Sequence, residues 1–545
     1  MAALWSLQRR KILIVDDIPE MRSMLRNTLF QFGADNITPA ATGEEAIELM
    51  GRQTFDLVLC DYNLGEGKDG QQVLEEAKLR NYLPYSSVFI MVTAENTSLM
   101  VMGALEYQPD EYLSKPVNRT VLQGRLRKIT EKKDALKPLS KALSSGNKQV
   151  AVTLCQRYIE AGAKNRYELM KLQVELLIHD LDLVAAKAIC GKALLDRDFL
   201  WANFSLGKIA YLERNYDDAK RLFECVLSAN EAFVSAYDWL AKIYTKQGDT
   251  ALVQSSLEKA VAWSPKSVVR LRSLAEALEI NANFEAAESL RKRVLRIGKN
   301  SMMRKSEDFS CLAAVLLQQD KHGEALRTVA QLKQEYKGDV NASLSAALAE
   351  EKIFLTTSNL EEAEKAAKLA VELYQSSPEA ISNETALQLT ALCISKGNDD
   401  LAQNIVEQLV NNNHDDQTLL DQVAMVYKDA GREDEITHIV SVARKEMISV
   451  NNQGVKLLEQ GALFESIALF EKAMLLAPHN QVLNINTAQA YIMAMKKHGS
   501  CREQLASTRA CLDFAHDNPD LAERYKVLNN AYWAIASSTG QKKNA

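Results

Sequence analysis

The sequence predicts an α/β domain built on a doubly wound, five-stranded parallel sheet, followed by an all-α solenoid that fills the rest of the chain. Three observations carry this. Over residues 10–130, short β-rich runs alternate with amphipathic stretches of helical length, the pattern of successive βαβ units. Three of those runs are almost wholly apolar, as strands covered on both faces of a parallel sheet are. After about residue 130 the strand signals stop, and helical patterns recur at a period of 34 residues. Composition agrees. The 22 Gly and 10 Pro are about half of average usage, which excludes collagen-like and low-complexity classes and argues against an all-β sandwich. A chain of 545 residues, at roughly 150 per domain, predicts three or four domains, or one domain and a long array. Its 47% hydrophobic content supplies ample core.

The expected strands are Lys11–Val15, Asn36–Ala40, Asp56–Cys60, Val88–Thr93 and Asp110–Leu113, with amphipathic segments such as Pro19–Phe32 and Glu44–Arg52 between them. Pro39 cannot donate to a ladder, so the second strand belongs at an edge. A last helix runs from Asn118 to about Ala135. No Gly/Ser/Pro-rich linker follows it, and Pro138 suits the first turn of a new helix. The joint to the array should therefore be stiff rather than a tether.

In the array, Ala151, Ala185, Ala219, Val253 and Ala287 are each 34 residues apart. Four residues after each stand Cys155, Ile189, Phe223, Leu257 and Arg291. Leu206-Gly207 and Leu240-Ala241-x-x-Tyr244 fit L-G-x-x-Y, and Pro265 and Pro478 fit a closing proline. The cleanest copy reads Gly454…Gly461…Phe470…Ala473…Pro478. Beyond Ala287 the spacing loosens, through Ala325, Ala363 and Ala402. This pattern resembles the tetratricopeptide repeat (TPR). About ten helix pairs are expected over 131–515, with a capping helix at Leu521–Ser537 and a tail within 516–545.

Each proposed strand of the α/β domain but the edge strand ends in a polar residue: Asp16-Asp17, Asp61, Thr93 and Lys115-Pro116. A sheet of order 2-1-3-4-5 sets those ends side by side, where ligands bind in open α/β folds. Three acids this close repel one another unless a cation sits among them. The ligands on offer are all oxygens, which makes Mg²⁺ the natural choice.

Residues 10–130 resemble the CheY-like receiver domain of two-component response regulators, through K-I-L-I-V-D-D, D-L-V-L-C-D-Y-N-L, M-V-T-A and Y-L-S-K-P. The resemblance implies that Asp61 is the phosphoacceptor. It implies that Asp17, Asp61 and the backbone carbonyl of Asn63 ligate Mg²⁺ directly, and that Asp16 does so through water. Thr93 would bind a phosphoryl oxygen, Lys115 would pair with the phosphoryl group, and Tyr112 would be the switch aromatic. Asn63 and Glu95 would tune dephosphorylation, and the Lys115–Pro116 bond would be cis. The loop N-L-G-E-G-K-D-G departs from the family in lacking a proline and running one residue longer.

The expected function is a phosphorylation-controlled signalling protein of a two-component phosphorelay. A sensor histidine kinase or phosphotransfer protein would supply the phosphoryl group, and the TPR array would bind a protein target. No catalysis is expected beyond the receiver's own phosphotransfer and autodephosphorylation. Candidate peptide contacts are Trp201, Phe204 and Tyr211 on one helix, and Asn452 and Asn486 at equivalent places 34 residues apart. The alternative is a DNA-binding transcription regulator. Against it stand a net charge of −6 and the absence of a recognisable DNA-binding module. The basic run 291–305 reads as a solvated helix face. No apolar run reaches the roughly 18 residues of a membrane helix. The eight cysteines show no metal-ligand spacing, so buried thiols in a reducing bacterial cytoplasm are expected.

Overall fold

The structure is a computed structural model. It describes residues 6–94, 109–144, 147–413, 417–432, 449–477, 480–515 and 521–541. The chain forms two compact units, Met1–Asp308 and Phe309–Ala545.

The first unit opens with five parallel strands in the order β2-β1-β3-β4-β5. They are β1 (Lys11–Val15), β2 (Asn36–Ala40), β3 (Leu57–Asp61), β4 (Val88–Thr93) and β5 (Glu111–Ser114). The helices that follow in chain order are α1 (Pro19–Phe30), α2 (Gly43–Arg52), α3 (Gly70–Leu79), α4 (Arg119–Ala135) and α5 (Lys137–Ser144). Pro39 sits opposite Ile14 on the outermost strand, where its missing N–H costs no ladder bond. Strands β3 and β5 begin and end one residue later than the sequence suggested, so Asp61 closes β3 instead of following it.

Alternate residues of each strand point to opposite faces, so each central strand serves two apolar layers. Ile12, Ile14, Leu57, Leu59 and Ile90 meet Leu25 and Leu29 of α1 and Leu122 and Leu126 of α4. Leu13, Val15, Val58, Cys60 and Met91 meet Ala46 and Met50 of α2 and Val73, Leu74 and Ala77 of α3. This two-sided burial explains the unbroken apolar runs of β1, β3 and β4.

A single residue, Leu136, joins α4 to α5. Leu136 is buried between α4 and α5, and Pro138 lies in the first turn of α5. Lys133 Nζ donates to the Tyr85 carbonyl at 2.7 Å and pairs with Asp110 at 2.9 Å. Ser140 Oγ accepts from the Ser86 N–H at 2.9 Å. These bonds strap the joint back onto the sheet domain.

Helix pairs follow, among them Arg166–His179 with Leu183–Asp196, Leu200–Leu212 with Tyr216–Ala229, Val234–Gln247 with Thr250–Trp263, and Val268–Ile280 with Phe284–Gly298. Within each pair the turn follows one recipe. A residue with positive φ (Leu181, Arg214, Gly248, Ala282) ends the first helix. The next residue (Asp182, Asn215, Asp249, Asn283) caps the second by accepting from a backbone N–H three positions on. Gly207 allows the two helices of a pair to touch, since a Cβ there would lie 2.7 Å from Phe223.

Two expectations are corrected here. The 34-residue register slips in Leu183–Asp196, where Ala186, Cys190 and Ala193 are buried while Ala185 and Ile189 are half-buried. The basic run 291–305 is a solvated face only in part: Lys292, Arg296, Lys299 and Lys305 are exposed, and the departure lies at its start. Arg291 is buried and forks onto Glu279 at 2.7 and 3.1 Å, Lys292 reaches Glu288 at 2.6 Å, and Arg293 donates to the Pro265 carbonyl.

The second unit continues with helix pairs such as Val340–Thr356 with Leu360–Ser376 and Asn383–Ser395 with Asp399–Asn412. Gly454 stands to Phe470 as Gly207 does to Phe223, with a Cβ–ring separation of 2.3 Å if a methyl were added. Pro478 lies outside the described residues. The closing helix Ala522–Gln541 lays Tyr525, Leu528 and Tyr532 on a cluster that includes Ile485, Tyr491 and Leu512. That is the part of a cap, on a helix running past the expected Ser537. Among the described residues no helix is long and apolar enough to cross a membrane, and all eight cysteines are free thiols.

Candidate functional site

The carboxyl ends of four neighbouring strands build the site. Pairing of Val15 with Cys60, Asp61 with Val92 and Thr93 with Ser114 brings Asp16, Asp61, Thr93 and Lys115 into adjoining rows. One carboxylate oxygen from each of Asp16, Asp17 and Asp61 lies within 4.8 Å of the others. Lys115 Nζ donates to Asp16 Oδ2 at 2.9 Å and to Asp61 Oδ2 at 2.7 Å. The Lys115–Pro116 bond is cis. Asp16 and Asp61 are buried and Asp17 is exposed, so the cluster has a dry floor and an open rim.

Burial pushes the Asp61 carboxyl above the usual aspartate range. Hydrogen bonding and charge from Lys115 oppose the shift, and the neighbouring Asp16 adds to it. Burial also works against the charge on Lys115, yet its bonds to Asp61 and Asp16 hold its pKa above the ordinary lysine value. The Cys60 thiol is pushed well up, by burial first and then by the charge of Asp61, and is inert. Three carboxylates face one ammonium, and every donor is oxygen. Those residues fit a hard divalent cation.

Neighbouring residues hold this geometry. Asp16 Oδ1 accepts from the Ile18 N–H at 3.0 Å, and Arg22 Nη1 donates to the Asp16 carbonyl at 2.5 Å. Gly70, the first residue of α3, packs so close under β3 that a Cβ would sit 2.1 Å from the Asp61 carbonyl oxygen. Asp69 and Gln72 close a capping box on α3. Sequence reasoning missed Arg22, Gly70 and this box, although the D-x-x-Q spacing of Asp69 and Gln72 is itself a capping signal.

Thr93 is buried at the end of β4, and the Lys115 N–H donates to its carbonyl at 2.7 Å. Tyr112 is half-buried against the α2/α3 layer. Its hydroxyl is buried and has no hydrogen-bond partner among the described residues, and burial holds its pKa well above the usual range. Arg125 Nη1 anchors this strand through the Tyr112 carbonyl at 2.6 Å. The exposed Asn63 accepts from the Gly65 N–H through Oδ1 at 3.4 Å. Glu95 lies outside the described residues.

The array candidates separate. Phe204 packs against Phe223 and Phe233, with ring centroids 5.6 and 4.8 Å away, and Tyr211 packs edge-on against Tyr216 and Trp239. Both are half-buried in inter-helix packing, and Trp201 lies beside Phe199 at 6.1 Å. Asn452 and Asn486 do not form the expected equivalent pair. Asn452 is exposed, whereas Asn486 is 1% exposed and its amide is taken by Asn451 and by Arg524 of the closing helix. An amide so occupied is not offered to a peptide.

Comparison with known proteins matches two stretches of the chain to known families. The model of the response regulator receiver domain matches residues 12–127, and that of the tetratricopeptide repeat matches 234–267. Chemotaxis protein CheY-3 of Vibrio cholerae is 32% identical over 122 residues, 22% of this chain and 92% of its own length. Chemotaxis protein CheY of Pseudomonas aeruginosa is 32% identical over 122 residues, 22% of this chain and 97% of its own. A CheY-like receiver domain from Methanospirillum hungatei has 26% identity at a TM-score of 0.22, covering 24% of this chain and 98% of that one. With its strand order, its acidic cluster and the helix pairs that follow, the chain belongs to the response regulator receiver family and joins its receiver to tetratricopeptide repeats.

Proposed function

We propose that the chain is a phosphorylation-controlled signalling protein of a two-component phosphorelay, with Asp61 as the acceptor and the repeats as the protein-binding output. The observation that carries this reading is the convergence of Asp16, Asp17 and Asp61 within 4.8 Å, with Lys115 bonded to two of them. A sensor histidine kinase or phosphotransfer protein presents a phosphorylated imidazole. An Asp61 carboxylate oxygen forms the new O–P bond as the P–N bond breaks, and the donor leaves with its nitrogen lone pair. Burial makes this carboxylate more basic than an exposed aspartate, which favours it as a nucleophile.

Asp16, Asp17, Asp61 and the Asn63 carbonyl would hold Mg²⁺, which when bound neutralises charge on the transferring oxygens. Phosphorylation moves the negative charge from the Asp61 carboxylate to the phosphoryl oxygens, and Lys115 turns its ammonium to them. Thr93 donates its hydroxyl to a phosphoryl oxygen. In autodephosphorylation water attacks phosphorus, the O–P bond breaks, and carboxylate and inorganic phosphate are restored; Asn63 and Glu95 set access for that water. No other reaction is assigned to the chain, and free cysteines fit work in a reducing cytoplasm.

Asp61→Asn tests the reading. An amide cannot form the acyl phosphate, so Mg²⁺-dependent labelling by a small phosphodonor should vanish. Labelling at the wild-type rate would place the acceptor elsewhere.

A further inference from the structure

The loop behind Asp61 is gripped by the repeats of its own unit. Lys68 Nζ donates to the Asn300 carbonyl at 2.6 Å, and Asn300 Nδ2 returns a bond to the Gly67 carbonyl at 2.7 Å. The capping box of α3 is shared in the same way. Asp69 Oδ1 accepts from the Gln72 N–H, leaving Oδ2 to pair with Lys266 at 3.0 Å. Gln72 Oε1 accepts from the Asp69 N–H, leaving Nε2 to donate to the Ile297 carbonyl at 3.2 Å. Lys266 Nζ also lies 4.8 Å from the centre of the Tyr62 ring, one residue from the acceptor.

Beside these bonds lies an open cavity of about 580 Å³. Asn63, Gly65 and Asp69 line its receiver side, and Lys266, Arg293 and Arg296 line its repeat side. Three cations thus face one carboxylate. Burial first, and then the charge of Arg296, hold the Arg293 pKa below the usual arginine value.

We infer that the corner Pro265–Lys266 and the turn 297–301 form an intramolecular docking surface that reads the Asp61 loop, and that phosphorylation tightens it. The inference rests on Asp61 being the acceptor. An aspartyl phosphate carries more negative charge than the carboxylate it replaces. That charge is added at the root of the docked loop, one residue before Tyr62, whose ring Lys266 of the basic wall covers at 4.8 Å. The docked state gains from it and the undocked state, with the wall in water, does not, so the equilibrium moves toward docking.

The test is hydrogen exchange on the full chain in Mg²⁺, with and without a labelled small phosphodonor, while incorporation at Asp61 is counted in the same sample. Amides in 297–303 should exchange about fivefold or more slowly once Asp61 is labelled. The difference should disappear in high salt and in Asp61→Asn. In Arg293→Gln/Arg296→Gln it should also disappear while labelling persists; single Arg296→Gln, at an exposed helix position, should halve it or more if the double variant misfolds. Labelled Asp61 with unchanged or faster exchange at 297–303 overturns the docking proposal and leaves the acceptor intact. Absence of labelling overturns the acceptor assignment, and the proposal with it.

Discussion

At the residue scale the site is defined as much by what lies under it as by the charges it displays. Gly70 is the clearest case: Gly70→Ala drives a methyl into the Asp61 carbonyl, with backbone on the far side and no flexible side chain to yield. It should cost about 3 kcal/mol, seen as a lowered receiver transition in thermal unfolding. Glu351 makes a second case. It is 4% exposed, one carboxylate oxygen lacks a hydrogen bond among the described residues, and its nearest cation, Lys396, is 3.8 Å away. Burial raises its folded pKa above the unfolded value. Such a group contributes most when protonated in both states, and the contribution is lost as pH rises through the folded pKa. Glu351→Gln should therefore stabilise the fold at pH 8 by about 1 kcal/mol, with the gain vanishing near pH 4, read from denaturant midpoints at the two pH values. The residues of the candidate site were legible because each stands at the end of a predicted strand. Gly70 and the occupied amide of Asn486 were not, because nothing in their own neighbourhood announces the partner that packs there.

At the element scale the repeat turns obey a chemistry that the alanine spacing does not report. Leu181, Arg214 and Ala282 take the left-handed conformation although each carries a Cβ. Ala282 is exposed, so Ala282→Gly should relieve that strain at no loss of packing and stabilise by about 0.5 kcal/mol after the larger unfolded-state entropy of glycine is counted. The adjoining cap acts the other way. Asn283→Ala removes the acceptor for the Ala286 N–H and should cost about 1 kcal/mol. Chemical denaturation of the two variants checks both signs. Asp182, Asn215, Asp249 and Asn283 recur at nearly the repeat period, a signal as strong as the A-x3-F pairs. Strand existence and order were legible from periodicity and from Pro39. The one-residue shifts of β3 and β5 were not, since a strand ends where its ladder partner ends.

At the scale of the whole molecule, charge decides what the chain meets. The net charge is −6, and Arg291, Lys292 and Arg293 of the basic run 291–305 are held by Glu279, Glu288 and the Pro265 carbonyl. A gel-shift titration with duplex DNA at physiological salt should therefore show no complex. A shifted band with a steep salt slope would restore the transcription-regulator alternative. The sequence by itself determined the parallel sheet, its order, the acidic cluster at its carboxyl edge and the succession of helix pairs. The strands and helix pairs follow from local period, and the cluster follows from the polar residues at strand ends once the doubly wound order sets those ends side by side. Only the tertiary structure decided that Lys266 and Asn300 meet Asp69 and Gly67, some two hundred residues away in the chain. A lysine or asparagine on a repeat carries no mark of its partner until the helices stack and set its distance from every other charge.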